Sequence, residues 1–510
     1  MSADSPSANV PVHGHSTKTD VEIRFDEARR KVGIVVGPLV FLLVLAWPFS
    51  ALTPEAHRLA AIMGLVIVFW ITEVLPLPVT ALLGTALAVL LQVAPAAQAF
   101  RPFASTTIFL FLGSFILAQA LFVHRVNERI AFGVLSLRIV GARPTRILIA
   151  YGILAAVLSA WMSNTATAAM LVPIGLSLIR FMESEANIPK KYGTALMLMT
   201  TYCCSRGGMA TPVGTPPNLI AIGMIDDQLD VRITFVQWML FSVPIMAVLM
   251  LIVCVYLNWV GQTGVTEIPG TDKIIAKRKQ ELGPWKRGEI NAVIAFCVTV
   301  TLWIGPGLLA LVLGSDHPTA RFVLASVPEA VAALFGVVLL FVLPISDTQR
   351  STITWKQASQ IDWGTLLLFG GGLALGALSA SSGLALAVGE GITGLVPTDQ
   401  VATLTFAAAL FTVILSETMS NTAATNIAIP IVISIAMASG VNPMIPSVAA
   451  ALSASVADAL PVSTPPNAIV YASGRVRITE MIRYGVLMDL IAVTLVPLLV
   501  LLIAPIFLGS

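Results

Sequence analysis

The chain has 510 residues, of which 57% are hydrophobic and 11% charged, and its net charge is +2. A soluble domain carries roughly 25% charged residues, so this composition excludes one and indicates a membrane protein. The mean hydropathy of +0.90 agrees. The apolar runs are continuous, whereas a transmembrane β-barrel shows alternating segments of about 10 residues. We predict an all-α polytopic membrane protein with about 11 transmembrane helices.

The basic residues lie in the polar N-terminal segment and in the one long polar loop. Residues 1–31 are predicted to form a tail, and the apolar run after them is expected to stay as a first helix, because further spans follow it. Residues 261–290 are predicted to form a linker. By the positive-inside rule both segments face the cytoplasm, so we expect a multi-pass protein of the cell (inner) membrane. The basic residues are Arg24, Arg29, Arg30 and Lys31 in the tail and Lys273, Lys277, Arg278, Lys279, Lys286 and Arg287 in the linker.

Residues 32–260 and 291–510 carry the same three landmarks in the same order. A glycine-bearing run comes first, "LFLGSFILA" at 110–118 and "LLFGGGLAL" at 367–375; "SNT" follows at 163–165 and 420–422, and "TPPN" at 215–218 and 464–467. The first two landmarks are both separated by 257 residues. The register favours a duplication arranged as an inverted repeat, an architecture of secondary transporters whose sites lie at the repeat interface.

The proline and glycine landmarks each predict a backbone conformation. Pro216–Pro217 and Pro465–Pro466 cannot donate backbone hydrogen bonds and must break their spans. Unwound backbone at membrane depth is tolerated where it is buried in protein or lines a cavity. The glycine runs near 113 and 370 are predicted to form two re-entrant helical hairpins, although for Gly370–Gly372 taken alone we favour simple packing.

Ser, Asn and Thr at a helix break can serve two ions. Their oxygens suit a cation, and the exposed helix N-termini suit an anion. A set of uncharged oxygens fits Na⁺ better than Ca²⁺, whose sites usually include carboxylates. The alternative is that these side chains only bond helix to helix. The duplicated SNT and TPPN motifs in common order favour a binding site.

With these paired motifs the chain resembles the divalent anion/sodium symporter family, the sodium-coupled transporters of dicarboxylates, citrate and sulfate, from about residue 33 to 508. The resemblance implies a homodimer in membrane lipid, with a scaffold domain and a transport domain that moves as an elevator. It implies Na⁺-coupled uptake of C4-dicarboxylates such as succinate, malate and fumarate. Na⁺ is the coupling ion, with no other metal, no cofactor and no nucleic-acid partner. Na⁺-independent exchange and sulfate symport are the alternatives.

The site residues follow from the resemblance, position by position. Two intact SNT copies look more like a dicarboxylate carrier than a citrate or sulfate carrier. The sodium-binding residues would be Ser159, Ser163, Asn164 and backbone near Gly214 in the first half, and Ser416, Asn421 and backbone near Met419 and Ser463 in the second. The residues meeting a small dianionic substrate would be Asn164, Thr165, Thr215, Asn421, Thr422 and Thr464, with Pro216 and Pro465 shaping the pocket.

Two charges depart from the family pattern, Arg206 and Asp458. Intramembrane charges are costly and face a partner or a cavity, so we predict that the two approach each other across the repeat interface. Separate cavities are the alternative. A free Arg206 could stand in for a cation and Asp458 could carry a proton, and either would allow sodium-independent exchange. Glu417, beside the second SNT, is interpreted as structural.

A membrane enzyme and a channel are the competing classes of function. Ser163 or Ser420 could be imagined as a nucleophile, but neither has an identifiable base, and a duplicated nucleophile has no obvious use. A channel would not need anion and cation ligands in one motif. The sequence therefore favours a transporter with no catalytic residues.

Overall fold

The structure is a computed structural model that describes residues 20–49, 52–186, 188–314, 316–393 and 400–508. Within these ranges the backbone is helical or in loops and contains no strand, which confirms the all-α prediction. Residues 1–19 of the predicted N-terminal tail lie outside the described residues.

Eleven helices and one 3₁₀ turn make up the first half. In chain order they are α1 (Asp20–Ala46), α2 (Pro54–Thr72), α3 (Leu77–Leu90), α4 (Ala96–Phe100), the 3₁₀ turn (Arg101–Ala104), α5 (Thr106–Val123), α6 (Val126–Leu135), α7 (Pro144–Ser159), α8 (Asn164–Ala186), α9 (Lys190–Met209), α10 (Pro216–Leu229) and α11 (Phe235–Val260).

The linker and the second half follow. They contain α12 (Thr271–Glu281), α13 (Arg287–Leu313), α14 (Pro318–Ser326), α15 (Glu329–Val342), α16 (Trp355–Ala358), α17 (Trp363–Ser382), α18 (Leu384–Thr393), α19 (Val401–Thr418), α20 (Asn421–Ala438), α21 (Met444–Ala454), α22 (Pro465–Ala472) and α23 (Ile478–Leu508).

Nine helices in the described ranges are long and apolar enough to cross a membrane. A tenth span results if α14 and α15, which meet at a 55° bend, are taken together. Three shorter apolar helices, α3, α7 and α21, lie below that length. The chain is therefore a multi-pass membrane protein, with a span number close to the predicted one.

The helix order of the first half recurs in the second. Helices of one half also make equivalent contacts with helices of the other half, which we call exchanged contacts. The helix α3 packs against α17, and α5 packs in the same way against α15. Likewise α10 packs against α20, and α22 packs against α8. Each contact has a counterpart with the roles of the halves reversed, as a two-fold internal repeat requires. The domain boundaries and the inverted orientation stay predictions.

The glycine runs are packing points inside continuous helices, so the chain does not reverse at them, and the two re-entrant hairpins stay unconfirmed. Gly113 lies inside the continuous helix α5, and Gly370–Gly372 lie inside α17. A Cβ added at Gly113 would stand 2.6 Å from the Cβ of Ala333, and one added at Gly371 would stand 2.5 Å from that of Ala81. Small residues allow membrane helices to approach closely without breaking. Gly371 and Gly113 thus mark the equivalent α3–α17 and α5–α15 contacts.

The tail and the linker are more helical than predicted. The helix α1 begins at Asp20, so the basic residues before the first apolar run lie on its early turns. The linker contains α12, which packs against α6 and α8. The Arg129 side chain fastens the linker's end, because its guanidinium donates to the carbonyl of Gly283 at 2.9 Å and to the Glu289 carboxylate at 3.0 Å. The Arg129–Glu289 pair is largely buried.

Candidate functional site

Both SNT motifs open a helix inside the bundle. The helix α7 ends at Ser159 and α8 begins at Asn164, while α19 ends at Thr418 and α20 begins at Asn421. The serine of each motif precedes its helix and caps it. The Ser163 Oγ accepts from the Ala166 N–H at 3.1 Å, and the Ser420 Oγ accepts from the Ala423 N–H at 3.2 Å. The uncapped N–H groups of the first turn leave a positive dipole end at each break.

A serine one loop earlier holds the SNT asparagine in the same way in both halves. The Ser159 Oγ donates to Asn164 Oδ1 at 2.5 Å, and the Ser416 Oγ donates to Asn421 Oδ1 at 2.6 Å. The Ser416 Oγ also lies 2.6 Å from the Ala454 carbonyl oxygen. The structure thus brings together the predicted sodium-binding serine and asparagine of each half.

Each TPPN motif begins a helix, α10 in the first half and α22 in the second, which agrees with the chain break predicted at the prolines. Thr215 and Thr464 precede α10 and α22 in extended backbone, and the proline pairs occupy the first two helical positions. Proline fits there because the N–H it lacks would have no intrahelical partner. The Thr464 hydroxyl caps α22 by accepting from the Asn467 N–H at 3.3 Å.

The motif asparagine that follows the prolines holds the preceding loop. The Asn218 Nδ2 donates to the carbonyls of Gly208 and Thr211, at 2.9 and 2.7 Å. The Asn467 Nδ2 donates to Ala457 and Leu460, both at 2.9 Å. The acceptors lie ten and seven residues before the asparagine in both halves. Asn218 and Asn467 therefore shape the loops, a role that sequence analysis did not assign.

In the first half the SNT and TPPN loops touch each other. A Cβ added at Gly208 would stand 2.6 Å from Asn164 Oδ1, and one added at Gly214 would stand 3.0 Å from the Ala160 carbonyl oxygen. The Thr211 hydroxyl also donates to the Ala160 carbonyl. Glycine is needed where backbone oxygens come this close. The arrangement gathers hydroxyl, amide and carbonyl oxygens, the ligand type that Na⁺ accepts.

In the second half a carboxylate joins the equivalent loop. The Ser463 Oγ donates to Glu417 Oε2 at 2.9 Å, and the Ala459 N–H donates to Glu417 Oε1 at 3.0 Å. Met419, fully buried and extended, lies at the break after α19. Glu417 therefore positions Ser463, which agrees with its interpretation as structural.

The residues predicted to bind Na⁺ or the substrate differ in how far they are exposed to solvent. Their roles as ligands stay predictions. Buried are Ser159, Gly214, Thr215, Ser416, Met419, Ser463 and Thr464; half-buried are Ser163, Asn164, Pro216, Asn421 and Thr422; exposed are Thr165 and Pro465.

The two loop systems meet across the halves. The helix that follows each TPPN motif packs against the helix that follows the SNT motif of the other half, α10 against α20 and α22 against α8. The Thr201 hydroxyl on α9 donates to Asn467 Oδ1. These contacts join elements that carry the motifs of both halves; that the two breaks face one region, where an anion could lie beside cations, stays a prediction.

Arg206 and Asp458 pair across the halves, as predicted. The Arg206 Nη1 donates to Asp458 Oδ1 at 2.6 Å, and Nη2 lies 2.5 Å from Oδ2. The side chains are 2% and 0% exposed, and α9 is buried from Tyr192 to Met209. Asp489 on α23 accepts from the Asp458 N–H at 3.1 Å. The charge of Arg206 is therefore paired with a carboxylate and is not free to replace a cation.

Two members of this neighbourhood, Tyr202 and Asp489, were missed by sequence analysis. Tyr202 lies one helical turn before Arg206, whose guanidinium carbon is 5.7 Å from the centre of the tyrosine ring. An acidic residue in the long apolar run of α23 was a signal that could have identified Asp489. Tyr202 gave no such signal.

Comparisons with known proteins agree with this arrangement. A family model described as the sodium:sulfate symporter transmembrane region matches residues 29–508. The sodium-dependent dicarboxylate transporter SdcS of Staphylococcus aureus (strain bovine RF122 / ET3-1) is 33% identical over 498 residues, covering 94% of this chain and 92% of that protein. SdcS of Staphylococcus saprophyticus is 33% identical over 495 residues, with the same coverage.

Two solved structures share the fold. The Alcanivorax borkumensis YdaH transporter matches with a TM-score of 0.53 at 15% identity, covering 94% of this chain and 96% of that one. Neisseria gonorrhoeae MtrF, described as one of a class of antimetabolite efflux pumps, matches with a TM-score of 0.54 at 15% identity over 79% and 82%.

The family and the relatives are transporters, so an integral-membrane enzyme is excluded. The resemblance drawn from the SNT and TPP motifs is confirmed over nearly the whole chain. The chain belongs to the sodium:sulfate symporter family, the group also called divalent anion/sodium symporters.

Proposed function

We propose that the protein takes up C4-dicarboxylates such as succinate, malate and fumarate together with Na⁺. The observation that carries the proposal is the duplicated serine–asparagine pair, Ser159 with Asn164 and Ser416 with Asn421, beside two capped helix N-termini. The relatives named as sodium-dependent dicarboxylate transporters support this choice of ion and substrate.

We assign the motif residues to two Na⁺ ions and to the substrate in the way that the motifs imply. In the first half Ser159, Ser163, Asn164 and Gly214 would hold one Na⁺, and in the second Ser416, Met419, Asn421 and Ser463 would hold another. The dianion would lie between the two breaks, against Asn164, Thr165, Thr215, Asn421, Thr422 and Thr464, bounded by Pro216 and Pro465. Neutral donors and helix dipoles attract a carboxylate without a fixed charge that would slow its release.

Energetics explain why the substrate needs cations. A dianion entering against an interior-negative potential of about 100 mV faces roughly 4.6 kcal/mol. Two Na⁺ neutralise the dianion but gain nothing from the membrane potential. A third cation is required before voltage helps the uptake.

We further propose a homodimer in the inner membrane with a cytoplasmic N-terminus, in which a transport domain carrying both loop systems moves as an elevator. The exchanged contacts of α8 with α22 and α10 with α20 support one moving unit, because they join the motifs of both halves. The continuous helices α5 and α17 would belong to the scaffold side.

Sodium-independent exchange and sulfate symport are the competing functions. Exchange would be favoured by an unpaired Arg206 acting as a fixed cation, and the pairing of Arg206 with Asp458 counts against it. Sulfate symport rests on the family description alone.

Proteoliposomes loaded with K⁺ test the proposal. We expect radiolabelled succinate to accumulate when an inward Na⁺ gradient is imposed, and unlabelled malate or fumarate to compete. Asn421→Ala should abolish accumulation, whereas Asn442→Ala, at an exposed asparagine outside the motifs, should not. Counterflow without Na⁺ would support exchange instead, and competition by sulfate but not by malate would support sulfate symport.

A further inference from the structure

A cavity of about 400 Å³ lies outside the motif loops, where α1 meets the turn between α2 and α3. The volume is within the range of roughly 300–1,000 Å³ that is usual for small-ligand sites. One wall residue is basic, one is acidic and the others are apolar. The lining residues are Arg30, Glu73, Val74, Leu75, Pro76 and Leu77. None of them belongs to the proposed sodium or substrate sites, so the cavity is a separate feature of the protein.

The walls of the cavity are fixed by close contacts around it. A Cβ added at Gly33 would overlap the Thr72 hydroxyl, so this glycine lets α1 lie directly against the end of α2. In the turn itself, the indole N–H of Trp70 donates to the Leu77 carbonyl at 3.2 Å, which ties the start of α3 to α2. The cavity is therefore formed before any ligand enters it.

The charges at the cavity are unequally satisfied. The Arg29 Nη2 atom lies 2.9 Å from Glu73 Oε2 and 3.5 Å from Asp26 Oδ1, so this guanidinium is held by two carboxylates. Its Nε–H is buried and has no hydrogen-bond partner among the described residues. The exposed side chain of Arg30 forms no ion pair or hydrogen bond within the described part of the chain. Arg30 therefore keeps its charge and its side-chain donors for an anion.

Glu73 has an unusual backbone conformation. It follows the last residue of α2 with φ 49° and ψ 41°, in the left-handed region, which is unfavourable for a residue with a side chain. Such conformations persist where the surroundings hold them, and they are frequent at functional sites. Here the ion pair with Arg29 holds the residue. Glu73 thereby neutralises Arg29 and leaves Arg30 as the unpaired cation among the lining residues.

An exposed apolar surface follows the cavity along α1. Four of its side chains are each more than half exposed, namely Val32, Val35, Leu39 and Leu42. They come directly after Arg30, so the cavity lies where the helix passes from polar to apolar sequence, which is the depth of lipid headgroups. A basic cavity at this depth, next to an exposed apolar helix, matches the two ends of a phospholipid, the headgroup phosphate and the acyl chains.

We propose that this cavity binds the headgroup of an anionic phospholipid, whose phosphate Arg30 contacts and whose acyl chains lie along the exposed face of α1. The proposal is independent of the transported substrate. Basic residues before a first helix also serve simply to orient that helix. That role needs no cavity, and a cavity with fixed walls favours a bound lipid. Free phosphate would gain nothing from the apolar lining or from the exposed helix face, which favours a lipid as the source of the anion.

The experiment measures lipid retention by the purified full-length protein in detergent, with native mass spectrometry. The protein is titrated with phosphatidylglycerol and, separately, with phosphatidylcholine of the same acyl chains. The wild type should retain phosphatidylglycerol in preference. Arg30→Gln should weaken phosphatidylglycerol binding by about fivefold, the contribution of one basic side chain near a lipid surface. Arg350→Gln, the same change at an exposed arginine outside the cavity, should leave the affinity unchanged.

Glu73→Gln is expected to act in the opposite direction. It removes the carboxylate that holds Arg29 and repels a phosphate, so phosphatidylglycerol should bind about fivefold more tightly. A purely structural role of the Arg29–Glu73 pair predicts no such gain, because breaking the pair would only loosen the cavity. The melting temperature without added lipid checks that each variant is folded. Arg30→Gln should match the wild type there, because its side chain has no partner to lose.

Three results would overturn the proposal. Equal retention of the two lipids by the wild type and by Arg30→Gln would show that the cavity does not select an anionic headgroup. A rise in melting temperature with inorganic phosphate as large as that with phosphatidylglycerol would assign the cavity to a free anion. A changed oligomeric state of Arg30→Gln with unaltered phosphatidylglycerol retention would assign this surface to a second copy of the chain.

Discussion

Replacing Arg206 by alanine leaves the Asp458 carboxylate buried without its counter-ion. The two side chains are 2% and 0% exposed, and their atoms approach to 2.5 Å, so neither charge can reach water without moving a helix. Removing one member of such a pair costs about 3–5 kcal/mol. Asp458→Ala should cost a similar amount, because it leaves the guanidinium unpaired instead.

The double variant, with both residues changed to alanine, contains neither charge. Its stability should be close to that of either single variant or better, which gives a coupling free energy of about 3 kcal/mol or more. The free energy of unfolding is measured in detergent with increasing denaturant, and succinate uptake is measured in proteoliposomes. Both single variants should impair uptake, and the double variant should recover part of it.

The exposed pair of Arg143 and Glu267 serves as the control. Its side chains are 50% and 60% exposed, so the same cycle should give less than about 1 kcal/mol. If the losses at Arg206 and Asp458 simply add, in stability and in uptake, then the two charges act separately and the inferred contact between the halves is refuted.

Two further predictions concern the motifs and the packing around them. Ser416→Ala removes the hydroxyl that bonds Asn421, at a cost of about 1 kcal/mol, so the Na⁺ concentration for half-maximal succinate uptake should rise about fivefold; an unchanged value would remove Ser416 from the site. Gly371→Leu forces a side chain into Ala81 and should destabilise the protein by about 1–3 kcal/mol, seen as a lower melting temperature; Gly383→Leu, where the position is open but φ is +81°, separates packing from backbone strain.

Much of the fold could be predicted because the lipid restricts it. The helical class and the breaks at Pro216 and Pro465 follow from which backbone groups can be satisfied in hydrocarbon. The Arg206–Asp458 pair was predictable for the same reason, since a charge at that depth needs a partner. These are consequences of local chemistry and need no knowledge of how the helices pack.

The glycine runs show what the sequence leaves undecided. A glycine is compatible both with a chain reversal and with close helix contact, and only the neighbour decides. For Gly113 and Gly371 that neighbour is an alanine on a helix of the other half. The role of Asn218 and Asn467 was hidden similarly, because the carbonyls that each asparagine holds belong to a loop whose path cannot be read from the sequence.

The exchanged helix contacts also have a consequence for how the chain is made. Thr201 bonds Asn467, 266 residues later, and Arg206 bonds Asp458, 252 residues later. During synthesis α9 therefore enters the bilayer with a guanidinium whose partner has not yet been translated. Contacts so distant in sequence form slowly, so a ribosome-released first half should be a substrate for membrane proteases, and co-expression of the missing half should protect it.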